Sequence, residues 1–236
     1  MSVDSLNSLE SAGFAIRPGH LTASQLDALR VAVGLLLSVH TERGGARNVL
    51  HDTLLRSTAI GPLRDEVVPT LGESARAVRA LVFDKTPLSN WKVTWHQDVS
   101  IAVADHRECA GWGPWSRKAG VWHVRPPAAV LEGMLTVRLH LDECGPTSGP
   151  VRVIPGSHRL GRLSDAQIEE ASRSASAVNC LVPVGGLLVM RPLLLHASAP
   201  ASAPTHRRVL HIEYSGADVP DGLEWAERQG SQARAV

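Results

Sequence analysis

The chain contains few cysteines, and their arrangement limits the kinds of protein it can be. Among its 236 residues only Cys109, Cys144 and Cys180 are cysteines, an odd and widely spaced set without a C-x-x-C pair. Such a set argues against a disulfide framework and favours reduced thiols. We therefore expect a cytoplasmic protein that is held together by a large hydrophobic core.

Net charge and long hydrophobic runs are also nearly absent. The 24 lysines and arginines are interspersed with 23 acidic residues, which leaves a formal charge of +1. This pattern argues against a basic surface for nucleic acid or for a membrane. The apolar run over 187–195 is interrupted and too short to span a bilayer, and the first residues lack the pattern of a signal peptide. The expected partner is a small-molecule substrate, with no nucleic acid and no membrane.

The first third of the chain has helical periodicity. The pattern Thr22-x-x-Gln25 is a capping box, which predicts a helix N-terminus, and leucines follow it at helical spacing. Further predicted elements are a helix over 4–11, a strand over 14–16 and an interrupted helix over 52–71.

From residue 77 onward the chain consists of short β-rich runs separated by glycine and proline. The predicted strands are 78–83, 91–99, 135–141, 151–154, 181–183, 187–190 and 209–214, with one helix over 164–174. Many short strands favour a sandwich or barrel over alternating β-α units. We predict one mainly β domain over 1–236, in which helices of 1–75 buttress one sheet of a β core over 76–215.

Two histidines and an aspartate form the candidate metal site. In a strand, His96 and Asp98 of the sequence His-Gln-Asp point to the same side, because side chains alternate between faces. His196 follows an apolar strand one hundred residues later. Two imidazoles and one carboxylate are the ligands of non-haem Fe(II) sites that keep an open face for reaction.

Residues after His196 provide a candidate anchor for a dicarboxylic acid. A guanidinium matches a carboxylate bidentately, and the hydroxyl of Ser198 can donate to the same group. Arg207 and Arg208 lie eleven and twelve positions after His196. Since neighbouring residues of a strand face opposite ways, only one of the two arginines can serve as the anchor.

Four segments in order resemble the phytanoyl-CoA dioxygenase family: 95–98, 151–158, 196–198 and Arg207. The resemblance covers about residues 78 to 214 and implies a double-stranded β-helix, or jelly roll, with helices packed on one sheet. It implies Fe(II) held by His96, Asp98 and His196, and 2-oxoglutarate held by Ser198 and Arg207. The family's spacing favours Arg207 over Arg208.

The same resemblance implies further contacts to the co-substrate. Gln97 falls within the family's co-substrate triplet, and Arg138 falls where many members place an aromatic residue beside 2-oxoglutarate. Leu81 falls on a pocket position that methionine often fills, and an early-strand contact is expected near 46–48. Related halogenases replace the metal carboxylate with a small residue, so the presence of Asp98 favours hydroxylation over halogenation.

A segment rich in tryptophan lies between the predicted metal ligands. Glycine and proline over 111–127 predict an irregular loop, and such a loop beside an active centre often forms a lid or a substrate wall. The candidate substrate contacts in it are Trp112, Trp115, Trp122 and His123. The opposite interpretation is that the tryptophans only hold the loop to the core.

The resemblance implies an Fe(II)- and 2-oxoglutarate-dependent hydroxylase that uses O2 and releases succinate and CO2. Two alternatives stay open: a cupin-like metal enzyme that does not use 2-oxoglutarate, and a small-molecule binding protein on the same fold. The turn over 155–158 is expected to be architectural, because Gly156 permits a tight turn and Ser157 can bond its own backbone.

Overall fold

The computed structural model describes residues 3–39 and 45–227. In these ranges the α-helices are α1 (Val3–Ser11), α2 (Ala23–Val39), α3 (Thr53–Ile60), α4 (Val68–Leu71), α5 (Ala128–Glu132) and α6 (Asp165–Ser174). The strands are β1 (Phe14–Arg17), β2 (Gly45–Arg47), β3 (Arg76–Lys85), β4 (Val93–His96), β5 (Ile101–Val103), β6 (Trp115–Lys118), β7 (Val121–Val124), β8 (Met134–His140), β9 (Val151–Val153), β10 (Val178–Cys180), β11 (Leu187–Met190), β12 (His196–Ser198) and β13 (Arg207–Ser215). None of the described helices is long and apolar enough to cross a membrane.

The large sheet has six antiparallel strands in the order β1-β11-β8-β13-β3-β2. Alternation along β13 gives the sheet two different faces. Leu210, Ile212 and Tyr214 belong to the main hydrophobic core, which α2 and α3 cover. His211 and Glu213 point to the opposite face and line a cleft. The helices therefore buttress one face of this sheet and leave the other for chemistry.

A second sheet, in the order β10-β9-β12-β4, lies against the free face of the large sheet. Leu188 and Met190 of the large sheet pack with Val151 and Val153 of β9 in a separate hydrophobic cluster. Two sheets packed face to face, with helices outside one of them, confirm the predicted mainly β jelly-roll fold.

A third sheet, β5-β7-β6, contains the tryptophan-rich segment. The expectation of an irregular loop is wrong here, because 115–124 forms a β-hairpin. Its two-residue connection is Ala119-Gly120, and both residues have positive φ, at 48° and 76°. Positive φ at both central positions is the conformation that matches the twist of a tight hairpin. Alanine rarely adopts it, so the turn was not recognised from the sequence.

Several other predictions need correction at the strand ends. The strand expected over 91–99 is reduced to β4, and the strand expected over 181–183 lies earlier, at β10. The strands β2, β5 and β12 were not predicted from the sequence, since three residues are too few to establish an alternating pattern. Predicted helix starts are confirmed, with reciprocal capping hydrogen bonds between Thr22 and Gln25 and between Ser164 and Gln167.

The turn after β9 connects the second sheet to the segment that leads into His196. The buried Ser157 hydroxyl donates to the carbonyl of Ile154 at 2.7 Å and accepts from the N–H of Leu195 at 2.9 Å. His158 is half-buried against the end of α1, where its Nε2 is 3.1 Å from the Glu10 carbonyl. These contacts are architectural, as the turn chemistry indicates.

We expect Ser157→Ala to lower the free energy of unfolding by about 1–3 kcal/mol, because the buried N–H of Leu195 loses its acceptor. Urea denaturation measures the change. Ser172→Ala is the matched control, since the Ser172 hydroxyl donates only to the Glu169 carbonyl on the exposed side of α6. Equal losses in both variants would contradict a specific role for the Ser157 contact.

Candidate metal centre and co-substrate cleft

A cleft opens between the large sheet and the second sheet. Its empty space, including solvent at the mouth, is about 870 Å³, which is within the range of small-molecule sites. Cations outnumber carboxylates among the residues that line it. The cations are Arg47, Arg79, Lys118, Arg138 and Arg207, and the carboxylates are Asp98 and Glu213.

The three predicted metal ligands meet in this cleft. The pairing of β12 with β4 places His196 directly opposite His96. Asp98 lies just beyond β4, where its N–H donates to the Pro192 carbonyl at 2.9 Å. One carboxylate oxygen of Asp98 is 3.7 Å from Nε2 of His96, and the other is 3.7 Å from Nε2 of His196. Potential ligand atoms of the three side chains all lie within 4.8 Å of one another.

Hydrogen bonds orient both imidazoles for metal binding. Nδ1 of His96 is 2.8 Å from the Thr94 carbonyl, and Nδ1 of His196 is 2.9 Å from the Leu194 carbonyl. A carbonyl only accepts, so each Nδ1 carries the proton and each Nε2 keeps its lone pair. Both lone pairs are therefore available beside the Asp98 carboxylate. This donor set fits a divalent iron ion, and the backbone carbonyls supply the outer contacts that fix metal-binding histidines.

The protonation states agree with that orientation. Burial holds the pKa of His196 below its usual value, which keeps the imidazole neutral at pH 7. Desolvation would raise the pKa of Asp98, but the neighbouring His196 and His96 bring it below its usual value. The site therefore presents the neutral imidazole of His196 beside the ionised carboxylate of Asp98.

The start of β13 directs its two arginines to opposite faces. Arg207 lines the cleft and is 4% exposed, its Nη1 donates to the Gly149 carbonyl, and its Nε has no partner. Arg208 points to the other face and binds Asp142 through two contacts of 2.7 and 2.9 Å. Strand alternation left both arginines open as the anchor, the family resemblance favoured Arg207, and of the two only Arg207 lines the cleft.

Lys85, which no sequence pattern indicated, adds a second cation beside Arg207. The two residues are paired across β3 and β13, and Lys85 is 1% exposed. Its Nζ donates to the Ser198 hydroxyl oxygen at 3.1 Å, which leaves the hydroxyl hydrogen available for donation into the cleft. Burial, followed by the like charge of Arg207, lowers the pKa of Lys85 to about 8.

A chain of polar contacts continues along the inward face of the large sheet. Arg138 Nη1 is 2.9 Å from Nδ1 of His211, and because arginine only donates, that Nδ1 is the acceptor. Nε2 of His211 then carries the proton, 3.8 Å from Glu213, which Arg79 binds at 3.0 Å. Burial keeps the pKa of His211 below its usual value, consistent with a neutral ring. His211, Glu213 and Arg79 were also missed from the sequence.

The other expected co-substrate contacts divide into two groups. Arg138, Leu81 and Arg47 line the cleft, in adjacent register across β8, β13, β3 and β2. Gln97 does not. Its amide donates to the carbonyls of Gly161 and Leu193 and accepts from the N–H of Leu163. Gln97 therefore holds the loop before α6 against the metal-ligand segment.

The candidate substrate residues of the tryptophan-rich segment do not line the cleft. Trp112, Trp115 and Trp122 belong to a hydrophobic cluster under the third sheet, and Trp112 Nε1 donates to Asp221 at 2.9 Å. His123 is buried, and its Nε2 has no partner. The interpretation that the tryptophans hold this segment to the core is the one that the structure supports. Lys118, at the end of β6, is the residue of the hairpin that reaches the cleft.

Solved structures with the same fold include two groups of interest. A carbocyclase from nogalamycin biosynthesis, SnoK, described as non-heme and alpha-ketoglutarate-dependent, has a TM-score of 0.74 and 17% identity, covering 98% of this chain and 94% of its own. EctD from S. alaskensis has been solved with 2-oxoglutarate and 5-hydroxyectoine. It has a TM-score of 0.68 and 18% identity, covering 91% and 76%. A further EctD structure holds iron.

Sequence comparison gives a relative and a family. A protein from Stutzerimonas stutzeri, described as a probable alpha-ketoglutarate-dependent hypophosphite dioxygenase, is 28% identical over 182 residues. The match covers 71% of this chain and 53% of the relative, so the chain spans about half the length of that protein. The family model of phytanoyl-CoA dioxygenase (PhyH) matches residues 9–209. The chain belongs to the phytanoyl-CoA dioxygenase family.

Proposed function

We propose that this protein is an Fe(II)- and 2-oxoglutarate-dependent dioxygenase that hydroxylates a C–H bond of a small or medium metabolite. The observation that carries the proposal is the meeting of His96, Asp98 and His196, with both imidazole Nε2 atoms beside the carboxylate. Membership of the family supports the same activity. We further propose that the chain acts as one domain in the cytoplasm, consistent with the free thiols of its three cysteines.

In this proposal His96, Asp98 and His196 hold Fe(II), and 2-oxoglutarate completes the centre. Bound together, the ion and 2-oxoglutarate supply the activation of O2 that oxidises the substrate, with release of succinate and CO2. The protein residues fix the geometry. The carbonyls of Thr94 and Leu194 hold the two imidazole rings, so that little reorganisation is needed when the ion binds.

Arg207 and Ser198 are the proposed anchor for the far carboxylate of 2-oxoglutarate. Ser198 is two residues beyond His196, so metal and anchor are joined by one short strand, β12. The unpartnered Nε of the buried Arg207 is a donor that a carboxylate would satisfy. Lys85 is a positioning residue, because its Nζ holds the Ser198 oxygen and leaves the serine hydrogen for the carboxylate.

Anaerobic titration of Fe(II) in the presence of 2-oxoglutarate tests the metal and co-substrate assignments. We expect a weak visible charge-transfer band from the chelate. His96→Ala should abolish the band because it removes a ligand, and Arg207→Met should raise the apparent Kd of 2-oxoglutarate by about 10- to 100-fold because it removes charge-assisted hydrogen bonds.

Two matched variants control for general damage. His206→Ala removes an exposed histidine that contacts Asp84, and Arg208→Met removes the arginine on the opposite face of β13. Both should keep the band. A folded, iron-loaded wild-type protein without a band would contradict the proposal and favour a metal enzyme or binding protein that does not use 2-oxoglutarate.

The substrate can then be sought by measuring succinate release with a panel of small metabolites. Hypophosphite belongs in the panel, because it is the substrate named for the relative from Stutzerimonas stutzeri. Substrates with an oxidisable C–H bond form the rest. Succinate released above the level without substrate identifies a productive compound.

Lys85 gives a pH-dependent prediction. Only the ammonium form supports anion binding, and with a pKa of about 8 that form is lost as the pH rises through 8. The Kd of 2-oxoglutarate in the wild type should therefore rise between pH 7 and 9. Lys85→Met should raise this Kd by about tenfold at pH 7 and remove its pH dependence. The chelate band measures both, and a parallel pH profile in wild type and variant would disprove the role of Lys85.

A further inference from the structure

The end of the cleft opposite Arg207 has cations that the proposed co-substrate does not reach. Arg79 and Lys85 lie six residues apart on β3, which places their Cα atoms about 20 Å apart in an extended strand. A five-carbon diacid anchored beside Lys85 cannot bridge that distance. The cations at the Arg79 end therefore belong to a different part of the site.

Arg79 is a buried cation with a hydrogen-bond donor that an anion could occupy. It is 7% exposed and lines the cleft, its Nη1 donates to Glu213 at 3.0 Å, and its Nε has no partner. A guanidinium carries five N–H donors, and the hydrogen bond to Glu213 uses one of them; Glu227, which also interacts with Arg79, accepts from the N–H groups of Ala80 and Leu50. A buried cation with an unsatisfied donor is costly unless a bound group completes its contacts.

Lys118 approaches the same end from the third sheet. It is exposed at the cleft mouth, next to the tight Ala119-Gly120 turn that fixes the end of the hairpin. Lys118, Arg79 and Arg47 all line this cleft, and, besides desolvation, the like charges of Arg79 and Arg47 lower the pKa of Lys118. A bound anion would relieve their mutual repulsion.

The acidic side chains of the cleft do not cancel this charge. Glu213 is held between Arg79 and His211, and Asp98 faces the two imidazoles of the metal site. Over the whole cleft, five cationic side chains line the walls and only these two carboxylates do. The excess of positive charge favours an anionic occupant.

We propose that Arg79 and Lys118 form a subsite for the acid group of the substrate, a small metabolite that carries a carboxylate or a phospho oxyanion. This inference rests on the proposed function, because it assigns the substrate class of the same cleft. The acid group would bind at the Arg79 end, which leaves the oxidisable part of the molecule to face His96, Asp98 and His196.

Calorimetric titration of the anaerobic Fe(II)–2-oxoglutarate protein tests the subsite. Acetate and methylphosphonate are the carboxylate and phospho probes, and acetamide is the neutral analogue. We expect an anionic probe to bind and acetamide not to bind. Lys118→Met should raise the Kd of the anionic probe about tenfold, the size of one partly exposed charge-assisted hydrogen bond. Lys118→Glu should raise it further.

Arg117→Met is the matched control for Lys118→Met. Arg117 is the preceding residue of β6 and does not line the cleft; its Nε donates to the Gly120 carbonyl at 3.1 Å, and its guanidinium lies 5.7 Å from the Trp122 ring centroid. Arg117→Met therefore removes a cation and a contact of the hairpin turn without removing a cation of the cleft. This substitution should leave probe binding unchanged. The Kd of 2-oxoglutarate, read from the chelate band, should stay unchanged in both lysine variants, which separates this subsite from the Arg207 anchor.

The outcomes distinguish the two proposals. A chelate band together with probe binding that depends on Lys118 supports both, and the preferred probe identifies carboxylate or phospho chemistry. A normal band with equal binding of acetamide and the anions, or with no effect of Lys118→Met and Lys118→Glu, overturns the subsite and leaves the proposed function intact. Absence of the band in the wild type overturns the proposed function and, with it, the subsite.

Discussion

The antiparallel pairing of His196 with His96 is the contact on which the site depends. Two strands that are one hundred residues apart in the chain become neighbours in the second sheet, and directly opposed residues in such a pair have Cα atoms about 4.5–5.5 Å apart. Asp98 then needs only the next turn of the chain to reach both rings. Ser198 is carried by the same strand as His196, so a proposed metal ligand and the proposed anchor share one register. A slip of one residue in β12 would turn both His196 and Ser198 away from the cleft.

The large sheet combines two different environments in the same strands. Along β13, Leu210, Ile212 and Tyr214 complete the core under the helices, while the alternate positions carry Arg207, His211 and Glu213. Charged groups in such a face are costly, and here they are compensated in part by one another, through Arg138, His211, Glu213 and Arg79. The remaining unpartnered guanidinium Nε atoms of Arg79, Arg138 and Arg207 lie where ligands are proposed to bind. The hydrophobic core under the helices stabilises the large sheet, so some polar groups on its cleft face can lack hydrogen-bond partners.

Candidate site residues that lie in short sequence motifs could be predicted. Residues that reach the cleft only through the pairing of distant strands could not. His96, Asp98, His196, Ser198 and Arg207 occur in compact patterns whose residue types already indicate metal and carboxylate chemistry. Gln97 adjoins two proposed ligands in sequence, but alternation directs its side chain away from the cleft, to the backbone of Gly161, Leu163 and Leu193. Lys85 becomes visible only once β3 is aligned with β13. His211 and Glu213 could have been found from the sequence, by stepping two residues at a time along β13 from Arg207. The tryptophan-rich hairpin was not predicted, because its turn has an alanine at positive φ, where glycine or asparagine is usual.

The uneven distribution of charge has a kinetic consequence. The whole chain is close to neutral, with a formal charge of +1, yet five cations and two carboxylates line the cleft. Low-dielectric walls concentrate the electric field of such a group at its opening, which raises the local concentration of small anions and their association rate. At physiological ionic strength the Debye length is about 8 Å, so the electrostatic attraction acts on an anion only when it is within about that distance of the cleft. The cleft thus selects among dissolved molecules by the sign of their charge before any of them touches a side chain.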